Sequence, residues 1–365
     1  MSSSIGRAFK VQIFGESHGK MIGVTIDGLP AGIDIDEEWL NTFVQRRAAK
    51  GSAIATPRRE SDIPRIISGV NPQGKSTGYP LTAVFENSDT HSSDYSFLPD
   101  TPRPGHADYP AITRSLGEDD LRGSGHHSGR LTLPHVFAGG VAMLLLRQLG
   151  VEIGAHILQV GDVRDASVDP VNPDMDELND CHTREVPALD PEAGERMMQT
   201  ILNAKADLDS VGGIVEVVAA GVPAGIGAPY FDGVEAAVAQ QLFSIPAVKG
   251  VEFGVGFGCV TMPGSQYNDP YCIDDGEIRT TRNEAGGLLG GITNGMPIIA
   301  RCAFRPTASI GKEQQTVSLS AAAIGKPAET TLTVKGRHDP CVAIRAVPVV
   351  EAAVAIALAD LYLQG

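Results

Sequence analysis

Apolar and polar positions change period several times along the chain, and each change marks an element. Over residues 9–27 short extended runs are broken by a loop at 15–19, and residues 34–50 then take helical spacing. Acids open that stretch and Arg46, Arg47 and Lys50 close it, the polarity a helix dipole favours. Branched runs at 63–70 and 81–86 predict strands. Residues 132–149 are almost wholly apolar and stop at Gly150, which predicts a buried helix too short to cross a bilayer, with a close packing contact at Gly139 and Gly140. A strand at 151–160, an acidic, proline-rich surface connection at 163–191 and an amphipathic helix at 192–206 follow. The rhythm recurs as strand 210–221, helix 232–243, strand 251–260 and strand 296–304, and a helix at 348–363 closes the chain. No repeat is strong enough to mark tandem domains. Mixed α and β structure is the expectation.

One region breaks this rhythm. Residues 87–131 are polar with almost no apolar periodicity, and so long an irregular segment in a compact protein is usually functional or disordered. It holds Arg103-Pro104-Gly105-His106-Ala107-Asp108, where a proline and a glycine set a loop between an arginine and an acid. An imidazole held there can be tuned across neutral pH, as general acid–base chemistry requires. Phe14-Gly15-Glu16-Ser17-His18-Gly19 and Gly336-Arg337-His338-Asp339-Pro340-Cys341 repeat the recipe. A single Gly-His loop reads equally as a solvated turn, whereas three argue for a shared site.

Composition narrows the choice of partner. The 42 glycines and 24 prolines of the 365 residues imply many tight turns rather than a helical bundle. A formal net charge of −15 repels nucleic acid and anionic membranes. Small anions remain open, because Arg46, Arg47, Arg58, Arg59, Arg103, Arg130, Arg305 and Arg337 sit beside glycine, proline or polar runs. Five cysteines without C-x-x-C spacing suggest neither a disulfide framework nor a zinc site, and the expected compartment is a reducing cytoplasm. Neither a P-loop nor a dinucleotide fingerprint is present, and no G-x-S-x-G elbow supports a serine hydrolase. Adjacent His126 and His127 point opposite ways in an extended loop and lack acids at ligand spacing, which disfavours metal. What remains for anions is backbone and hydroxyl cradling at 124–128, at Gly286 and Gly287, and at 307–309.

Seven short motifs then fall in order: Phe14-Gly15-Glu16-Ser17-His18-Gly19, Arg58-Arg59-Glu60, Arg103-Pro104-Gly105-His106-Ala107-Asp108, Gly221-Val222-Pro223-Ala224-Gly225, Ala247-Val248-Lys249-Gly250-Val251-Glu252, Ala285-Gly286-Gly287-Leu288-Leu289-Gly290-Gly291 and Gly336-Arg337-His338-Asp339-Pro340-Cys341. In this order and spacing the chain resembles chorismate synthase over essentially its whole length. The resemblance implies an α+β fold, a single large β-α-β sandwich domain over residues 1–365, assembled as a homotetramer. It implies anti-1,4-elimination of phosphate from 5-enolpyruvylshikimate 3-phosphate to give chorismate, requiring reduced FMN without net redox change. By matching position, His18 would assist departure of phosphate, His106 would protonate or stabilise the reduced flavin, and Asp339 would act in removing the C6 proton. Arg46, Arg47, Arg58 and Arg130 would meet substrate. His126, His127, Ser128, Ala247, Gly286, Gly287, Arg305, Pro306, Thr307, Ala308, Ser309 and Arg337 would contact FMN.

The chain also departs from the family pattern. His126-His127-Ser128 stands where many members have Arg-Ser-Ser, which implies a cofactor affinity more sensitive to pH, and Leu131 replaces the usual acid after Arg130. Arg305 and Pro246 replace the more usual Lys and Asn. With no recognisable nicotinamide-binding fold, an external flavin reductase is expected rather than intrinsic use of NADPH. The rival reading is an inactive flavin- or phosphate-binding protein on the same scaffold, against which stands the presence of His18, His106 and Asp339.

Overall fold

The computed structural model describes residues 3–49, 51–56, 60–89, 95–334 and 338–365, so Arg58, Arg59 and Arg337 lie outside the described residues. Five strands form a first antiparallel sheet: β1 (Ser4–Ile5), β2 (Lys10–Gly15), β3 (Met21–Asp27), β4 (Arg65–Ser68) and β5 (Leu81–Glu86), in the order β1-β2-β3-β5-β4. Helices α1 (Glu37–Gln45), α2 (Asp108–Ser115) and α3 (Thr132–Arg147) precede the second sheet. That sheet joins β6 (Glu152–Val160), β7 (Val163–Arg164), β8 (Gly213–Ala220), β9 (Val248–Phe253) and, after four intervening strands in sequence, β14 (Ile298–Phe304) in the order β7-β6-β8-β14-β9, again antiparallel. Small hairpins pair β10 (Tyr271–Asp274) with β11 (Glu277–Thr280), β12 (Leu288–Leu289) with β13 (Ile292–Thr293), and β15 (Gln314–Val317) with β16 (Glu329–Leu332). Helices α4 (Met175–Cys181), α5 (Pro191–Ala206), α6 (Val234–Ser244), α7 (Gly264–Tyr267), α8 (Leu319–Ala323) and α9 (Ala343–Leu363) complete the chain.

The middle layer is helical. α3 packs on α9 and on the first sheet, and α9 packs on β6 and β8 of the second, giving a β-α-β sandwich. Every residue of α3 from Leu133 to Leu146 is buried, as its unbroken apolar run requires. Gly139 lets the two helices approach closely, because a Cβ there would run into Ala352 on α9, and a Cβ on Gly140 would meet Leu40 and Phe43 of α1. By length and composition α9, and the continuous helical run Arg122–Arg147 that contains the 16-residue α3, could each cross a membrane, but both are mostly buried in the fold. The two ends of the chain meet at Asp360, whose Oδ1 accepts N–H bonds from Arg7, Ala8 and Phe9 at 2.8, 2.7 and 2.8 Å.

Four expectations are corrected. α9 starts at Ala343, five residues before Pro348, because buried Ala343, Ala346 and Val347 pack into the core and hold the helix through the proline. The strand expected at 251–260 ends at Phe253, where Gly254 and Gly256 take φ of +54° and +56° and a 3-10 turn follows at Gly256–Thr261. The irregular stretch 87–131 contains α2, which buries only Ala111 and Asp108 and so leaves little periodic signal. The supposed surface connection 163–191 covers the outer face of the second sheet, with Leu178, Cys181 and Leu189 packed on Val218 and Ile299. On that face a cross-strand row brings His156, Glu216 and Arg301 together, with His156 Nε2 3.1 Å from Glu216 Oε1 and Arg301 Nε 2.7 Å from Oε2.

Candidate active site

A cavity of about 890 Å³ opens where the segment after β14, the first turn of α9, the residues after α1 and the irregular segment 95–130 converge. Arg103 is its structural hub. Its guanidinium is buried and donates from Nε to Asp108 Oδ2 (2.8 Å), from Nη2 to Asp108 Oδ1 (2.7 Å) and Ser124 Oγ (2.9 Å), and from Nη1 to Ser309 Oγ (3.0 Å). Pro104 and Gly105, the latter at φ +70°, turn the chain so that Asp108 opens α2 and its carboxylate folds back onto the Arg103 backbone N–H at 3.0 Å.

His106 stands against the same carboxylate, Nδ1 to Asp108 Oδ1 2.7 Å. Burial alone would raise the Asp108 carboxyl, but hydrogen bonds from Arg103 and His106 outweigh it and hold the group well below the usual carboxylate range. An ionised Asp108 only accepts, so the network assigns the His106 proton to Nδ1 and leaves the Nε2 lone pair to face away from the acid. Burial pushes the His106 pKa below its ordinary value, the Asp108 bond opposes this and the Arg103 charge adds to it, so the ring is neutral at pH 7. His106 lies on the cavity wall, and its neutral ring suits proton exchange through Nε2.

Asp339, also on the wall, is held by both oxygens: Oδ1 accepts from the Thr56 N–H at 2.8 Å and Oδ2 from Arg345 Nη1 at 2.7 Å. Arg345 also donates from Nε to the Arg47 carbonyl at 2.9 Å, tying the start of α9 to the residues after α1. Arg47 itself reaches Thr132 Oγ1 (2.7 Å), the Gly129 carbonyl (2.9 Å) and Asp62 Oδ2 (3.5 Å). Burial, reinforced by the Arg345 charge, pushes its pKa down to about 9, which leaves it a cation at neutral pH. Arg130 pairs closely with Asp62 and donates to Asn87 Oδ1 (2.8 Å) and the Glu86 carbonyl (3.1 Å).

The floor is made of strained backbone and small side chains. Gly123, Ser124 and Gly125 take φ of +60°, +71° and +54° in succession, a path glycine permits and which Ser124 adopts with its hydroxyl held by Arg103. Ala247 has φ +76° and its carbonyl accepts from the Arg305 N–H at 2.9 Å. Thr307 Oγ1 lines the cavity, buried and with no hydrogen-bond partner among the described residues. A buried hydroxyl left so is costly unless a ligand satisfies it.

The cavity therefore brings together Arg47, His106, His126, His127, Ser128, Arg130, Ala247, Arg305, Thr307, Ala308, Ser309 and Asp339 of the residues picked from the sequence. His126 is fixed by Ser3 Oγ and the Gly15 carbonyl, each at 3.0 Å. His18 stands behind the wall, edge-on to Tyr95 at 5.5 Å between ring centroids and against Gly123, where any Cβ would collide with its ring. Arg46 turns elsewhere, in a two-pronged ion pair with the fully buried Glu351 of α9 at 2.8 and 2.9 Å. Gly286 and Gly287 sit beyond the start of β14, the end away from Arg305, where they pack on Gly254, Met296 and Pro297. The Gly286 and Gly287 N–H groups are taken by Asn283. Pro306 is not on the wall and its carbonyl accepts from Arg305 Nη1 at 2.8 Å. Sequence reasoning missed Thr56, Asp62 and Arg345; for Arg345 the signal was a cation in an otherwise apolar helix, which needs a partner.

Comparison with known proteins decides the family. A model of the chorismate synthase family matches residues 9–363. The chain belongs to the chorismate synthase family. It is 46% identical over 356 residues to a chorismate synthase of Thermococcus kodakarensis, covering 97% of this chain and 96% of the relative. A chorismate synthase of Methanobrevibacter smithii is 43% identical over 361 residues, 99% of this chain and 96% of the relative. A crystal structure of chorismate synthase superposes with a TM-score of 0.77 at 28% identity, covering 99% of this chain and 93% of that one. The two-sheet, helix-filled architecture is thus that of a known chorismate synthase, and chorismate synthases are lyases acting on a phosphate-bearing substrate with a requirement for reduced FMN.

Proposed function

We propose that this cavity carries out anti-1,4-elimination of phosphate from 5-enolpyruvylshikimate 3-phosphate, with FMN bound beside the substrate. The observation that carries the reading is His106 bonded to Asp108 and a doubly anchored Asp339 on the wall of one cavity rich in arginines. In the reaction a C6–H bond breaks and its proton leaves, a new double bond forms, and the C3–O bond breaks with its electron pair going to phosphate. Asp339 is assigned to receive the proton, its two hydrogen bonds fixing the carboxylate for that transfer. With FMN bound, His106 would accept or return a proton at Nε2, and the family resemblance would give a part in departure of phosphate to His18, which packs on Gly123 and Tyr95 behind the cavity wall.

The wall suits FMN. Among the described residues Thr307 Oγ1 has no partner and Arg305 makes a single side-chain bond, and Ala247 and Ala308 offer flat apolar contact. Burial lowers the Arg305 pKa but leaves it cationic, as a phosphate ligand must be. When bound, reduced FMN supplies an electron-rich ring that supports the elimination without net oxidation. Anaerobic turnover with chemically reduced FMN, followed by chorismate absorbance, tests the assignment, and no chorismate under those conditions refutes it.

We read residues 1–365 as one domain, supported by a hydrophobic core that draws on both sheets and the helices between them. A homotetramer in the cytoplasm is supported by exposed Phe231, Phe257, Val260, Ile273 and Ile278 and by five free cysteines, and sedimentation tests the assembly. An external flavin reductase completes the reading; sustained turnover with oxidised FMN and NADPH alone overturns it.

A further inference from the structure

Five guanidiniums among the described residues line the cavity, and their hydrogen bonds divide them. Arg47, Arg103 and Arg130 each direct all three nitrogens at protein acceptors, and their charge faces Asp62 or Asp108. These three build the wall. Arg305 makes one bond, to the Pro306 carbonyl, and belongs to the segment beside Ala247. Arg345 differs from all four. Nε and Nη1 are committed to the Arg47 carbonyl and Asp339, while Nη2 has no hydrogen-bond partner among the described residues, on a half-buried side chain facing the cavity.

We propose that Arg345 is the ligand for the ring carboxylate of the substrate and that it positions Asp339 at the same time. This rests on the role of Asp339 given above. The C6 carbon that loses its proton is bonded to C1, which bears that carboxylate, so a carboxylate base reaching C6 brings two negative groups within a few ångströms. Such a pair repels, and one of the two takes up a proton unless a cation lies between them. Arg345 is already on Asp339 at 2.7 Å, and its planar fork offers the second amino group to a neighbouring carboxylate in the same plane. A lysine in its place holds the charge but cannot serve the Arg47 carbonyl, Asp339 and a ligand in fixed directions together.

The test uses enzyme loaded with oxidised FMN, which binds substrate without turnover, and titrates substrate and its ring-carboxylate methyl ester by calorimetry. Arg345→Met weakens binding of the free acid by about 30-fold or more, the loss expected when one side of a buried charge pair is removed. The wild type loses a similar factor on the ester, and the variant loses no more on the ester than on the acid. Equal binding of the acid by wild type and variant overturns the proposal, as does an ester penalty that persists undiminished in the variant. If Arg345→Met does not fold, judged by circular dichroism, Arg345→Lys carries the test with a reduced ester penalty expected. Asp339→Asn separates the two readings: unchanged kcat sinks the base assignment but leaves the ester coupling of Arg345 intact, and kcat lost with coupling absent sinks only the Arg345 proposal.

Discussion

Replacing Asp108 by asparagine exchanges one oxygen for an NH2 group in a site where every partner of that oxygen is known. Asp108 is 1% exposed and accepts from the Arg103 N–H, Nε and Nη2 and from His106 Nδ1. The variant leaves a buried Arg103 without its counter-charge, and breaking a buried pair on one side costs about 3–5 kcal/mol of stability. It also offers an amide N–H to His106 Nδ1, which turns the ring to the tautomer with its proton on Nε2. Turnover should fall by about 10²- to 10⁴-fold, the range for a misdirected acid–base group. The pH dependence has a definite sign. The Asp108 pKa is depressed in the folded protein, so its stabilisation is present above about 3.9, the unfolded carboxyl value, and is lost as pH falls further. The His106 pKa is also depressed, so folding is favoured above about 6.5 and loses ground below it as the unfolded chain takes up the proton. Urea melts at pH 7 and pH 3, with nitrogen NMR of the imidazole for the tautomer, read each component. The variant should lack the acid-dependent loss assigned to Asp108. Wild-type turnover together with an unchanged tautomer refutes the argument.

Two further outcomes are expected from packing. Arg46→Met should cost about 3–5 kcal/mol in a urea melt by stranding the buried Glu351 carboxylate, while the KM for substrate stays near wild type; a raised KM with stability intact restores a substrate role for Arg46. Gly139→Ala gains helix propensity of about 1 kcal/mol but forces a methyl group into Ala352, so we expect a net loss of about 1–3 kcal/mol and a lowered Tm, and a stabilised variant contradicts the close crossing of α3 and α9.

The sequence is most legible where burial is complete on all sides. The apolar run of α3 announces itself because every residue from Leu133 to Leu146 is covered, and Gly139 could be read as a contact because nothing else explains a glycine there. The limits of α9 were hidden by Pro348, whose local preference against a preceding helix is overruled by buried Ala343, Ala346 and Val347. α2 escaped notice for the opposite reason, since it buries a carboxylate rather than an apolar stripe. Within the site, the loop of Arg103, His106 and Asp108 was visible because its members are neighbours in sequence. Thr56, Asp339 and Arg345 were not visible as a group: the 283 positions between Thr56 and Asp339 are closed only by the fold. Arg46 and Arg47 show the limit most plainly, since one residue of offset at the end of a helix sends one guanidinium to Glu351 and the other to the cavity. Arg184, inside the 163–191 segment expected to be a surface connection, donates to the Ala188 and Leu189 carbonyls at 2.5 and 2.7 Å.

The helix that fills the middle of the sandwich leaves the ribosome after all the elements it packs against. Until α9 emerges, the inner face of the second sheet and the flank of α3 turned toward it lack their covering, Asp339 lacks its arginine, and the turn at residues 7–9 lacks the carboxylate that closes it. Local hairpins can form as they are made, and α3 can settle on the first sheet, but the second sheet has no helix to close the sandwich against it until α9 has been made. Until then the nascent chain is a half-open shell with one apolar wall bare, and a stop even one turn short of Asp360 leaves the first strands without their anchor.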